Sequence, residues 1–215
     1  SASFNDMLTF CISIDAADET YSPFVQQPVL LNEKFGNFDD SFMCSSHDDY
    51  NHTSWKFFGE DRYKQSPFGG EFSYYTEADQ EHCLDKAGMY GRTFEGEVAK
   101  YHMTFIIGND QPYHQSEARI KEASMSMGYK FRIDDFRVKD DKAAVCISNI
   151  GVAPIYRDAY VAVGGKRDDW SLRQLMPGTQ KWIEIDGTDP SNPTLSIECD
   201  HLVSGQRIDY DAEIR

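Results

Sequence analysis

Glu71 follows two glycines in Pro67-Phe68-Gly69-Gly70-Glu71-Phe72, a setting that could give its carboxyl group acid–base chemistry. Phe68 and Phe72 supply apolar walls that raise a carboxyl pKa, and the glycines permit close backbone approach. Asp39 and Asp40 form a second acidic feature, inside the stretch Gly36 to Met43 that otherwise reads as a strand. Strand residues alternate faces, so one of the two must point to the strand's mouth. A protonated carboxyl beside an ionised one is the pair that cleaves a glycosidic bond, at about 5–5.5 Å separation for retention and roughly 6.5–9.5 Å for inversion. Each group also has a plainer reading, with Glu71 accepting from turn amides and the aspartates capping a loop.

Trp55, Phe57, Phe58, Tyr74 and Tyr75 flank these acids. Aromatic faces stack on sugar rings and a tyrosine hydroxyl adds orientation, although the same residues could simply be core. His102 opens an apolar strand, where it and Tyr101 could reach the mouth that holds Glu71 or could pack inside. The run His47-Asp48-Asp49-Tyr50-Asn51-His52 has neither the helical His spacing of a zinc protease nor the glycine and terminal glutamate of a calcium loop. It reads as a solvated loop, and no metal site is expected. No phosphate loop or serine elbow occurs, so no cofactor is expected either. The candidate set is therefore Asp40 and Glu71 as catalytic carboxylates, with Asp39, His102, Trp55 and Tyr74 as substrate-binding residues.

Acidic side chains number 36 against 21 basic ones, a formal charge of −15. Phosphate binding relies on lysine and arginine, which are here outnumbered and scattered, so nucleic acid is excluded as a partner. No apolar run approaches the roughly 20 residues of a membrane helix, and no membrane insertion is expected. The 40% hydrophobic and 13% aromatic content suffices for a core. Cys11, Cys44, Cys83, Cys146 and Cys199 lack paired spacing and read as buried free thiols.

The elements that must position these groups come in two textures, dividing the chain into residues 1–128 and 129–215. In the first, apolar segments at Met7 to Ile14, Gly36 to Met43, Ser66 to Phe72 and His102 to Ile107 read as strands. Helix-compatible stretches run over Glu77 to Lys100, broken at Gly88, Gly91 and Gly96, and over Ser116 to Met127. Alternating strands and helices indicate α/β organisation with parallel strands. From Tyr129 onward, about seven short strands with turn signals every ~8–12 residues indicate an antiparallel sandwich. They are placed at Phe131 to Val138, Val145 to Ile147, Ile155 to Val163, Ser171 to Leu175, Lys181 to Ile185, Thr194 to Cys199 and Gln206 to Ile214.

Several motifs resemble a known family in their order. They are Phe35-Gly36-Asn37-Phe38-Asp39-Asp40-Ser41-Phe42, His47-Asp48-Asp49-Tyr50, Pro67-Phe68-Gly69-Gly70-Glu71, His102-Met103-Thr104-Phe105 and Met127-Gly128-Tyr129-Lys130-Phe131. Asn149-Ile150-Gly151-Val152-Ala153-Pro154-Ile155-Tyr156 and Gly205-Gln206-Arg207-Ile208-Asp209-Tyr210-Asp211-Ala212 follow near the end. Over residues 7 to 214 the chain resembles a family of secreted bacterial proteins of unknown function, regarded as glycosidase-like. The resemblance implies the carboxy-terminal half of a (β/α)-barrel followed by an immunoglobulin-like β-sandwich. It further implies carbohydrate as partner, a secreted, periplasmic or cell-surface location, and Asp40 as the family's acidic position. Such proteins carry an additional amino-terminal segment supplying the first half of the barrel, and an Arg-Pro pair where this chain has Ile14-Asp15-Ala16. A barrel normally needs eight strands. The four expected here would need that segment, or a second chain, or would form an open α/β layer.

Overall fold

Four short strands pair in parallel in the computed structural model, which describes residues 10–18, 20, 22–108 and 110–212. By contacts the chain divides into two compact units, residues 1–128 and 129–215. In chain order the first unit contains β1 (Cys11–Ser13), α1 (Pro23–Gln26), β2 (Gly36–Phe42), α2 (His52–Phe58), β3 (Phe68–Phe72), α3 (Glu77–His82), α4 (Phe94–Tyr101), β4 (Met103–Ile107), α5 (Gln111–His114) and α6 (Glu117–Ser124). Its sheet runs in the order β1-β2-β3-β4. Residues 7–9 of the first expected strand lie outside the described residues.

Helices form where caps allow. Thr93 caps α4 by accepting from Gly96 N–H, and Ser116 caps α6 by accepting from Arg119 N–H. The helical reading of Glu77 to Lys100 gives way to two helices. Between them the chain reverses at Met89–Arg92, with Tyr90 and Gly91 both at positive φ, and Gly88 is also left-handed. Gly96, expected as a break, lies inside α4.

One face of the sheet is covered. Phe42, Phe68, Phe72, Met103, Phe94, Val98 and Tyr101 are buried there with little or no exposure. The other face follows from the register. Ser13 pairs with Phe38, Phe38 with Gly69 and Gly69 with Phe105, which makes one row across all four strands. Phe105 lies over Gly69 so closely that a Cβ there would stand 2.2 Å from the ring. Phe105 and Ile107 nevertheless remain 37% and 46% exposed. Parallel sheets are ordinarily covered on both faces; among the described residues this one is covered on one.

The second unit contains β5 (Phe131–Lys139), β6 (Lys142–Asn149), β7 (Tyr160–Val163), β8 (Lys166–Arg167), β9 (Gln180–Asp186), β10 (Leu195–Glu198) and β11 (Asp211–Ala212). They form two sheets, β11-β5-β6-β9 and β10-β7-β8. Val145, Ile147, Val161, Val163, Leu172 and Ile183 belong to one shared core. The strand expected at Ile155 to Val163 is only Tyr160–Val163, and that expected at Gln206 to Ile214 is, among the described residues, only Asp211–Ala212. Two further details differ from the expected pattern of antiparallel strands. Ser171 to Leu175 contains a 3-10 turn at Leu172–Gln174, because Ser171 Oγ accepts from Arg173 N–H and curls the chain. β11 pairs with β5 in parallel.

Asn149 ties this unit together. It is wholly buried; its side-chain nitrogen donates to the carbonyls of Ala153 and Leu175, and its oxygen accepts from the N–H groups of Lys130 and Gly151. Asn149→Ala would strip partners from all four backbone groups. Leaving a buried polar group unpaired costs about 1–3 kcal/mol, so the second unit's unfolding, followed by Trp170 and Trp182 fluorescence, is expected at clearly lower urea.

Candidate functional site

The carboxyl end of β2 is irregular. Asp39 pairs with Gly70 and Phe42 with Phe72, so Asp40 and Ser41 together oppose the single residue Glu71. This is a β-bulge, a feature common beside functional sites because it re-aims a side chain. Asp40 is exposed and Glu71 half-buried, and both fall on the uncovered face, in line with Ile107 of β4. Asp15 stands just past β1 in the 3-10 turn Ile14–Ala17. The open face therefore ends, across the sheet, in the acid row Asp15, Asp40 and Glu71.

The Asp40 carboxyl is held above its ordinary value, first by partial desolvation, then by the Asp15 carboxylate, with which it also shares a hydrogen bond, and by Glu71. Like charges that share a site disfavour simultaneous ionisation. Three exposed tyrosines adjoin the row. Tyr74 Oη donates to Glu71 Oε1 at 2.9 Å. The Tyr50 hydroxyl is pushed up, first by burial and then by Asp15 and Asp18, and Tyr75 lies close enough to act in the same direction. Tyr74 is raised likewise, first by desolvation and then by its bond to Glu71.

Three of the expected substrate-binding residues lie elsewhere. Asp39 points to the covered face, with no exposure, because alternation turns it away from Asp40. Its oxygens accept from Asn51 Nδ2 at 2.8 and 2.9 Å and from Ser41 N–H at 2.9 Å. Trp55 is core, its ring 4.6 Å from that of Tyr101, because it lies on the inner side of α2; Tyr101 is itself buried. His102 closes α4 in a left-handed conformation at the amino end of β4, the end opposite Glu71 and Ile107. There it stacks on Tyr63 at 3.5 Å. Phe58 packs with Phe24 and Phe35 instead of flanking the acids.

The run from His47 to Asn51, expected as a solvated loop, is a wide π-type turn with His47 and Asn51 buried. The His47 ring fits between Phe42 and Tyr101, at 4.8 and 5.1 Å. Its nitrogens lie 3.5 Å from Asp39 and 3.2 Å from Glu97, without aligned hydrogen bonds. From Glu97 an alternation of charge runs outward through Lys100, Asp48 and Arg92. Burial, the largest influence on Asp39, raises its pKa despite His47 and Asn51. For Glu97 burial is again the largest influence and acts upward, but His47 and Lys100 together hold the carboxyl below its ordinary value.

A cavity of about 240 Å³ opens on the covered side, lined by Phe72, Leu84, Phe94, Ile106, Ile120 and Met127 among others. It holds no carboxylate, so the acid row is not part of it. Among the described residues no group of three or more His, Cys, Asp or Glu side chains could hold a metal ion, and no helix is long and apolar enough to cross a membrane. Asp15 and Tyr50 are the neighbours that sequence reasoning missed. An acid directly after an apolar strand was the available signal for Asp15. Comparison with protein-family models, with curated proteins and with solved structures returns no match.

Two outcomes follow for the buried charges. His47→Gln removes the ring packed between Phe42 and Tyr101 and set between Asp39 and Glu97, at a cost of about 0.5–3 kcal/mol, read as a fall in the urea midpoint of the first unit. Glu97 is lowered in the folded state, so its stabilisation is complete above the ordinary glutamate value and lost as pH falls through the lowered one. Glu97→Gln should thus be less stable than the parent at pH 7, with the gap closing below about pH 4.

Proposed function

We propose that the first unit contributes the carboxyl ends of its parallel strands to a carbohydrate cleft in a glycoside hydrolase-like (β/α)-barrel protein. The observation that carries this reading is the opposition of Asp40 and Glu71 across the β2 bulge, on the uncovered face, with Tyr50, Tyr74 and Tyr75 alongside. Barrel enzymes place their chemistry at this end of the strands. Asp40, whose proton is retained to higher pH, is suited to donate to a leaving oxygen. Glu71, which accepts from Tyr74 Oη, is suited to serve as the second carboxyl group. The uncovered face and the uncharged edge strand Met103-Thr104-Phe105-Ile106-Ile107 favour completion by further strands, from an upstream segment or a second chain. On this reading the 215 residues alone are inactive, and the complete protein is secreted or at the cell surface, as the family resemblance implies.

The test is made in the longest natural polypeptide that contains these residues. Glu71→Gln and Asp40→Asn should each abolish hydrolysis of a glycan panel while glycan binding, read by calorimetry, persists. Turnover by the 215-residue chain alone, or full activity in Glu71→Gln, would sink the proposal.

A second reading is a non-catalytic module that binds carbohydrate or protein through the second unit. Trp182, 45% exposed on the outer side of β9 with the Arg137 guanidinium 5.2 Å from its ring centre, favours it. Trp182→Ala should then remove binding that Glu71→Gln leaves intact, as measured by the same calorimetry.

A further inference from the structure

We propose that Asn51, acting through Asp39, is the positioning residue that turns Asp40 toward Glu71 and Asp15. The purpose of that positioning rests on the proposed function; the geometry does not. In a regular strand Phe38, Asp40 and Phe42 would share one face. Here the extra residue at the bulge lets Asp40 stay on the open side while Phe42 returns to the covered side, where it is wholly buried against His47 and Phe94. Something must replace the ladder at Ser41.

Asp39 and Asn51 make the replacement. Ser41 N–H donates to Asp39 Oδ1 at 2.9 Å, and the Ser41 carbonyl accepts from Asn51 Nδ2 at 3.3 Å and from Cys44 N–H at 3.1 Å. The same Asn51 nitrogen reaches both Asp39 oxygens and Ser41 Oγ at 3.1 Å. An amide nitrogen carries two hydrogens, so four acceptors converge on it and share them. Asn51 is 1% exposed. No other described side chain bonds the Ser41 carbonyl. The wide turn His47–Asn51 delivers Asn51 to this point, which gives that turn a purpose no solvated loop would have.

The readout is the titration of the Asp40 carboxyl, followed by carbon-detected NMR on the full 215-residue chain. In the parent, Asp40 should titrate above ordinary aspartates, first because its place in the row partly desolvates it and then because Asp15 and Glu71 stand beside it. In folded Asn51→Ala its midpoint should fall toward the ordinary aspartate value as the group leaves the row. Asp39→Asn, nearly isosteric, should move it the same way and replaces Asn51→Ala if that variant does not fold. Exchanging the pair, with Asp39→Asn and Asn51→Asp together, should restore much of the parent midpoint. A variant that melts earlier and exchanges its Ser41 amide faster, yet keeps the Asp40 midpoint, overturns the inference and leaves Asn51 a merely structural residue. If the midpoint moves as expected while the longest natural polypeptide neither binds nor cleaves glycans, the functional reading fails and the positioning role stands.

Discussion

A carboxylate removed entirely from water must be surrounded by donors, and Asp39 is the point at which the first unit meets that demand. Asn51 and the Ser41 N–H donate to it, and the His47 ring stands 3.5 Å away. Satisfying Asp39 therefore fixes the β2 bulge, draws the His47–Asn51 turn under the sheet, and through His47 and Glu97 fastens β2 to α4. The aromatic groups Phe42, Tyr101 and Trp55 then close around the imidazole. Burial opposes every charge in this chain of contacts. What the arrangement provides in exchange is direction, because a strand anchored by so specific a set of partners cannot slip its register.

The two faces of the β1–β4 sheet consequently carry opposite electrostatic logic. On the covered face charges alternate in sign from Glu97 through Lys100 and Asp48 to Arg92, with the His47 ring set between Glu97 and Asp39. On the open face three acids stand together, and Asp40 is raised there first by partial burial and then by its acidic neighbours. The open face is also where apolar side chains meet water, at Phe105 and Ile107. A surface that combines exposed aromatic area with like-charged acids is poorly explained as scaffold alone, since either feature could be relieved by a single substitution.

Much of the local structure was readable from residue order. The strand expected at Gly36 to Met43 spans Gly36–Phe42, that at Ser66 to Phe72 spans Phe68–Phe72, and the helix at Ser116 to Met127 spans Glu117–Ser124. Alternation also gave the correct alternative for the aspartate pair, one inward and one outward. What could not be read was anything that depends on three-dimensional direction. Trp55 and Phe58 lie on a helix, and which side of it faces the sheet is settled by packing. His102 sits beside an apolar strand in sequence, but a parallel strand has two ends, and only the left-handed closure of α4 assigns it to the far one. Asn51 carries no sequence mark at all. Its role appears only when the bulge it completes is seen.

The chemistry of a suitable ligand can be argued from the row itself. Asp15, Asp40 and Glu71 tolerate one another because water screens them, and any ligand that displaces that water strengthens their repulsion. An anion would add to the repulsion. A purely apolar ligand would remove solvent without replacing its hydrogen bonds, leaving polar groups unpaired at a cost. A hydroxyl-rich ring escapes both objections: its hydroxyls donate to ionised carboxylates and accept from a protonated one, and its apolar face can lie on Tyr50, Tyr74 or Tyr75. The proton that Asp40 holds to higher pH then becomes an asset, since it offers a donor within a row that otherwise only accepts. The proposed carbohydrate ligand thus rests on hydrogen-bond accounting at named groups, and the proposal serves a binding cleft as well as a catalytic one.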